Sequence, residues 1–226
     1  MSVRISKQEQ GGAWLPLLEG ELRARAWAVL EEIVASLPDP ATADVADASL
    51  AGGQAGLAVL CTHLAQAGLD DGENAAWFLA QAGEAVAAQP FGASLYGGFT
   101  GVAWALEHWR KQAGAAASNQ TVDETLRTYL SRSPWRDDYD LISGLVGLGV
   151  YALERLPHPA GAELLELVVA RLAETAEHTP EGITWLTAPE LLPPWQRELC
   201  PQGYYNLGLA HGVPGVIALL GHVCAA

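Results

Sequence analysis

Two kinds of apolar pattern alternate along the chain. Across 21–37, Leu22, Ala26, Val29, Leu30, Ile33 and Leu37 recur at helical spacing, while Arg23, Arg25, Glu31 and Glu32 take the other positions. One apolar stripe beside one charged face predicts an amphipathic helix. Segments 73–89, 121–132 and 161–177 carry the same pattern. Between them lie runs such as Val102-Ala-Trp-Ala-Leu and Val216-Ile-Ala-Leu-Leu, apolar on nearly every side, as a buried helix requires. The alternation predicts an all-α protein of helical hairpins set side by side, with buried helices inside and charged helices outside.

An internal repeat orders these hairpins. Ser49-LAGGQAGLAVLCTHL, Ser94-LYGGFTGVAWALEHW, Asp140-LISGLVGLGVYALER and Gly208-LAHGVPGVIALLGH align on the glycine pairs Gly53/Gly56, Gly98/Gly101, Gly144/Gly147 and Gly212/Gly215. Successive first glycines are 45, 46 and 68 residues apart, so the third interval carries an extra loop. At the start of a buried helix, missing side chains let neighbouring backbones approach and permit backbone angles closed to other residues. The inner helices then begin at one rim. Their unpaired N–H groups and partial positive charges are expected to converge there, which suits an anion or a developing enolate. Packing alone also accounts for a Gly-x-x-Gly step.

The copies differ where chemistry enters. Four residues before the first glycine stand Ser49, Ser94, Asp140 and Gly208, and immediately before it stand Gly52, Gly97, Ser143 and His211. The third copy therefore brings a carboxylate to the rim and the fourth an imidazole. Histidine titrates near neutral pH, and a nearby carboxylate orients it or holds its charge. Asp140 as a helix N-cap and His211 as a satisfied structural histidine are the plainer readings. A second set, His63, His108 and His222 with Glu154 in the remaining copy, lies seven residues after each second glycine. That offset carries them roughly 10 Å along the helix, away from the rim, so they read as structural and not as metal ligands. The tract 178–206, rich in Pro, Trp and Tyr, fits either a cover over the rim or a structural plug.

Composition narrows the class. Twelve basic residues against 26 acidic ones give a net charge of −14, which argues against nucleic acid and anionic membranes. Uncharged stretches are broken by Gly, Gln, His, Thr or Pro, so no membrane span is expected. The start shows no apolar signal segment. Cys61, Cys200 and Cys224 are few and lack metal-ligand spacing, which fits reduced thiols in a cytoplasmic protein. One domain over 1–226 is expected, with an N-terminal segment at 1–20.

The repeated glycines, Tyr139-Asp-Leu-Ile-Ser-Gly-Leu-Val-Gly147, Gly182-Ile-Thr-Trp185 and above all Tyr204-Tyr-Asn-Leu-Gly-Leu-Ala-His-Gly-Val-Pro-Gly215 resemble the lanthipeptide cyclases, the lanthionine synthetase C-like (LanC-like) family. The resemblance runs from about residue 20 to the end. It implies an α/α toroid of seven helical hairpins, of which this chain resembles the first four, truncated at its C-terminus. It also implies an enzyme that adds a peptide cysteine thiol across a dehydroalanine or dehydrobutyrine, closing a thioether ring. By motif match, His211 falls on a proton-transfer position and Asp140 on an orienting or electrostatic one. The implied partners are a precursor peptide carrying dehydrated Ser/Thr and Cys, and a dehydratase or a C-terminal complementing chain. The implied cofactor is zinc, but the family's Trp-Cys-Tyr-Gly segment and Cys-His pair before a glycine are absent from this chain. Two other readings stay open. One is a non-catalytic peptide-binding α/α scaffold. The other is a glycosidase-like α/α-toroid enzyme, which needs paired carboxylates.

Overall fold

The computed structural model describes residues 17–37, 47–70, 72–114 and 118–226. The chain divides into two compact units, Met1–Asp39 and Pro40–Ala226. Most of the N-terminal segment assigned to 1–20 lies outside the described residues. In the first unit, helix α1 (Gly20–Ser36) carries the expected stripe, yet none of its residues is buried; Leu22, Val29, Leu30 and Ile33 are exposed.

The second unit alternates as the pattern predicts. Inner helices α2 (Gln54–Gln66), α4 (Phe99–Ala113) and α6 (Leu145–Glu154) each precede an outer helix: α3 (Glu73–Ala88), α5 (Gln120–Leu130) and α7 (Pro159–Thr175). After α7 come the strands β1 (Glu177–Thr179) and β2 (Gly182–Thr184), the short helix α8 (Pro194–Leu199) and the fourth inner helix, α9 (Val213–Ala225). Each inner helix packs on the next, α2 on α4, α4 on α6 and α6 on α9. One buried cluster joins Ala55, Ala58, Phe78, Leu79, Val102 and Ala105; another joins Leu126, Tyr151, Leu164, Val168, Trp185 and Leu219. No helix among the described residues is long and apolar enough to cross a membrane.

The tract 178–206 is less irregular than its composition suggests. β1 and β2 form an antiparallel hairpin with Glu177 opposite Thr184, and Thr187 bridges to Tyr204. Trp185 is buried, and its indole N–H donates to the Leu172 carbonyl of α7 at 2.9 Å. The tract is thus plugged into the core by Trp185, while Ile183, Trp195 and Leu199 stay exposed.

All four rim loops share one closure. The N–H of the first residue after the first glycine donates to the carbonyl six residues before that glycine. The pairs are Gln54 to Asp47 (2.8 Å), Phe99 to Gly92 (2.9 Å), Leu145 to Asp138 (3.2 Å) and Val213 to Asn206 (2.9 Å). A Cβ on any of Gly53, Gly98, Gly144 or Gly212 would overlap that same carbonyl oxygen. Each second glycine is hemmed in likewise, Gly56 by the Leu50 carbonyl and Gly215 by the Leu209 carbonyl, both at 2.6 Å from a built Cβ. Unusual backbone angles play no part, because φ at the first glycines runs from −113° to −142°. Space is the reason for glycine here.

The closure also corrects the expected pool of free N–H groups at the helix starts. In α6 the first turn is already occupied: Leu145, Val146 and Gly147 donate to the carbonyls of Asp138, Tyr139 and Asp140. In α2, Gln54, Ala55 and Gly56 do the same to Asp47, Ala48 and Ser49. A loop that wraps back on its helix satisfies the orphan donors that an anion would otherwise take. The loops are linked sideways as well. Ala51 N–H donates to Tyr96 C=O at 3.0 Å, Tyr96 N–H to Ile142 C=O at 3.3 Å, and Leu141 N–H to Ala210 C=O at 3.0 Å.

At the opposite end of the inner helices lies a buried ionic cluster. Arg155 reaches Asp123 at 2.6 Å and Glu107 at 3.1 Å, Arg110 also holds Glu107, and the Tyr151 hydroxyl donates to Asp123 at 2.6 Å. Burial, with the Asp123 hydrogen bond behind it, pushes the Tyr151 phenol upward. For Arg155, burial works against the charge, but Asp123, Tyr151 and Glu107 outweigh it and hold the guanidinium protonated. The histidine row stands near this end: His63 and His108 lie 5.5 Å apart, His108 stacks on Trp104, and its Nδ1 is 3.6 Å from Glu154.

Replacing Arg155 with Ala leaves Asp123 buried without its counter-charge and Glu107 with Arg110 alone; a loss of about 3–5 kcal/mol is expected in urea unfolding. Gly147→Ala sets a Cβ onto the Leu141 carbonyl and 2.8 Å from Leu95 Cβ. It is expected to cost about 3 kcal/mol by the same measurement.

Candidate functional site

Asp140 and His211 are brought together by the sideways link between the third and fourth rim loops. Leu141 N–H on Ala210 C=O fixes the two loops one residue away from each side chain. Asp140 Oδ1 accepts the Ser143 backbone N–H at 2.7 Å, which turns the carboxylate across its own loop. Its Oδ2 lies 2.5 Å from His211 Nδ1. An ionised carboxylate only accepts, so this contact places a proton on Nδ1 and leaves Nε2 facing away from the pair. The exposures divide the same way, with the Asp140 side chain 11% exposed and that of His211 55%. One buried anchor and one accessible imidazole edge result. Short, charge-assisted contacts of this kind are stronger than neutral ones and fix the ring's orientation.

Asp140 is not a helix N-cap. No side chain caps α6, whose N-cap residue is Gly144. His211 is not a buried structural histidine either.

A second carboxylate stands close by. Asp138, which the sequence analysis did not single out, supplies the loop-closing carbonyl to Leu145 N–H. Its carboxyl is pushed up to about 6, first by burial and then by Asp140 and Asp137, with His211 opposing. Asp47 and Asn206 occupy the same repeat position, which was the available signal. Behind the pair, Tyr139 is buried and donates to the Trp185 carbonyl at 3.3 Å, and the Thr187 hydroxyl reaches it at 3.4 Å. Burial raises the Tyr139 phenol, so it serves there as a neutral tie between the rim and the tract that follows α7.

Comparison with known proteins gives this geometry a setting. The chain matches the family described as lanthionine synthetase C-like protein over residues 44–224, and it belongs to that family. Among solved structures it is similar to nisin cyclase, with a TM-score of 0.65 and 22% identity, over 88% of this chain and 52% of that one. At that identity the likeness is one of fold, an all-α, toroid-like arrangement, and the chain spans about half the length of that protein. None of the curated proteins matches it.

Zinc, which the family resemblance implies, takes three or four nitrogen, sulfur or oxygen ligands around one point. Among the described residues, no three His, Cys, Asp or Glu side chains cluster to hold a metal ion. Cys61 is buried in α2, and burial, helped by Asp70, pushes its thiol up to about 11. Cys200 is half-buried and Cys224 lies exposed on α9. His211 and Asp140 supply two donors, and they spend them on each other. The donor set of the described residues does not fit zinc.

Two outcomes are expected. The purified 226-residue chain should carry clearly sub-stoichiometric zinc in elemental analysis. Asp138 keeps a proton in the folded state between about pH 4 and about 6 that the unfolded chain has released. Stability therefore falls as pH rises through that window. Asp138→Asn removes the effect, so its melting temperature should exceed that of the parent at neutral pH, by more than any gain at about pH 4.

Proposed function

We propose that this lanthionine synthetase C-like chain takes part in thioether formation on a peptide, with His211 as proton donor and Asp140 as its positioning partner. The observation that carries the reading is the 2.5 Å contact between His211 Nδ1 and Asp140, made by a His211 side chain that is 55% exposed.

The chemistry divides into two events. A cysteine sulfur, having given its proton to solvent, bonds to the β-carbon of a dehydroalanine or dehydrobutyrine. The carbon–carbon π pair moves toward the carbonyl and forms an enolate. His211 in its protonated form then gives the Nε2 proton to the α-carbon. The enolate pair becomes the new C–H bond, and the ring nitrogen recovers a proton from water. Asp140 fixes the direction from which the proton comes. A positioned acid of this kind contributes about 10²–10⁴ in rate. With the first N–H groups of α2 and α6 already bonded to their own loops, the His211–Asp140 pair is the group placed to handle charge at the third and fourth loops.

The second reading, a peptide-binding scaffold without chemistry, is favoured by the donor set of the described residues, among which no three His, Cys, Asp or Glu side chains cluster to hold a metal that would activate the thiol. A synthetic peptide bearing one dehydroalanine and one cysteine separates the two. In D₂O, the parent chain is expected to accelerate loss of the free thiol and to place deuterium on one face of the α-carbon. His211→Ala should lower that rate by about 10²–10⁴ and scramble the face. An unchanged rate and face in His211→Ala overturns the assignment, and binding without ring closure by the parent supports the scaffold.

A further inference from the structure

The third rim junction departs from the first two in register. At those two, donor and acceptor each stand two residues before a first glycine: Ala51 N–H reaches Tyr96 C=O, and Tyr96 N–H reaches Ile142 C=O. At the third, the donor is Leu141, three residues before Gly144, while the acceptor Ala210 keeps its place two before Gly212. The slip sets Asp140, which precedes the donor, beside His211, which follows the acceptor, and their side chains meet at 2.5 Å. A register unlike its neighbours needs a device to hold it. Five residues before the first glycine stand Ala48, Ala93, Tyr139 and Leu207, so the third copy alone carries a phenol there. The third interval is also the one that carries the long tract after α7.

These two peculiarities touch each other. Tyr139 is 5% exposed, and its hydroxyl donates to the Trp185 carbonyl and accepts from the Thr187 hydroxyl. Trp185 is itself pinned to α7 by its indole N–H. Thr187 and Tyr204 exchange two backbone hydrogen bonds, of 3.0 and 3.2 Å. Gly203, with φ at +77°, lies so near this bridge that a Cβ there would overlap the Thr187 carbonyl oxygen. From Tyr204 the path enters the fourth loop. Asn206 Nδ2 donates to the Tyr204 phenol oxygen at 2.9 Å, its Oδ1 accepts the Gly208 N–H at 2.7 Å, and its carbonyl closes the loop on Val213. The residue before Asp140 and the loop that carries His211 are therefore joined twice, once directly through Leu141 and Ala210 and once around the tract.

We propose that Tyr139 and Asn206 are positioning residues of the His211–Asp140 pair: through Thr187 and Tyr204 they hold the third junction in its slipped register, with the tract as the brace between them. This deepens the reading of His211 as proton donor and rests on that reading for every effect on rate. Neither residue is placed at the reacting atoms. Tyr139 fixes the backbone from which Asp140 projects, and Asn206 fixes the loop from which His211 projects. A misplacement of about 1 Å in such a pair costs up to about a hundredfold in rate.

Nitrogen-15 NMR of the His211 ring in the full 226-residue chain reads the contact without any reaction. Its signals are those lost in His211→Ala. In alkaline solution, where the ring is neutral, the parent is expected to hold its proton on Nδ1, because Asp140 accepts there. Tyr139→Phe keeps the ring and deletes the hydroxyl; Asn206→Ala keeps the closing carbonyl and deletes two side-chain bonds. Each should move the proton toward Nε2, so that the Nδ1–H form loses its majority. Tyr151→Phe deletes a buried hydrogen bond to Asp123 at the opposite end of the inner helices. It should lower the melting temperature and leave the His211 tautomer as in the parent. On a peptide bearing dehydroalanine and cysteine, the two rim variants should slow ring closure by about ten- to a hundredfold with peptide binding unchanged. An unchanged tautomer in either Tyr139→Phe or Asn206→Ala overturns the proposal. So does a shift of equal size in Tyr151→Phe, which makes it an effect of stability. If His211→Ala leaves the rate and face of protonation unaltered, the proton-donor reading fails, and the tautomer still decides the positioning.

Discussion

The constraint on which the second unit rests is the return of each rim loop onto the helix it introduces. A backbone N–H at the helix start reaches the carbonyl six residues before the first glycine, and that bond leaves no room for a side chain. From this follow the glycine pairs, the shared shape of four loops with unlike sequences, and the sideways links that set neighbouring loops in register. A buried helix end needs partners for its first N–H groups. Here the loop supplies them, so the helices begin at a common rim without depending on capping side chains.

That economy frees the loop side chains. Ser49, Ser94, Asp140 and Gly208 hold one position and carry a hydroxyl, a hydroxyl, a carboxylate and nothing, with the backbone closure the same in all four. In the third copy the carboxylate is steered by Ser143 N–H, and the link to Ala210 sets the imidazole of the fourth copy against it. The pair is therefore a product of register. A shift of either loop by one residue removes the contact while sparing the helices.

The helices were legible because apolar periodicity reports burial directly, and α3, α5 and α7 fall within two residues of the stripes read from the chain. The meeting of Asp140 and His211 was legible because equal spacing places equivalent residues on one rim. Three features were not. The loop closures use carbonyls, which carry no residue identity, so nothing in the sequence announced that the helix-start donors were taken. The strands β1 and β2 are three residues each, too short for alternation to register. Glu107 and Asp123 come from α4 and α5 and Arg155 from the residue that follows α6, and their charges give no hint in sequence of which will meet.

Because each rim loop closes on its helix through backbone bonds, unlike side chains can stand at equivalent places without altering that closure. The Ser94 and Ser143 positions of the second and third loops stand in the same repeat relation as Asp140 and His211, with the Tyr96–Ile142 link beneath them. An acid and an imidazole written into those two places would stand one residue out of the register that joins Asp140 to His211, because the donor lies two residues before the first glycine at the Tyr96–Ile142 link and three before it at the Leu141–Ala210 link. A reactive pair is thus tied to its own junction, and moving it to another copy means resetting the register between two loops as well as exchanging two side chains.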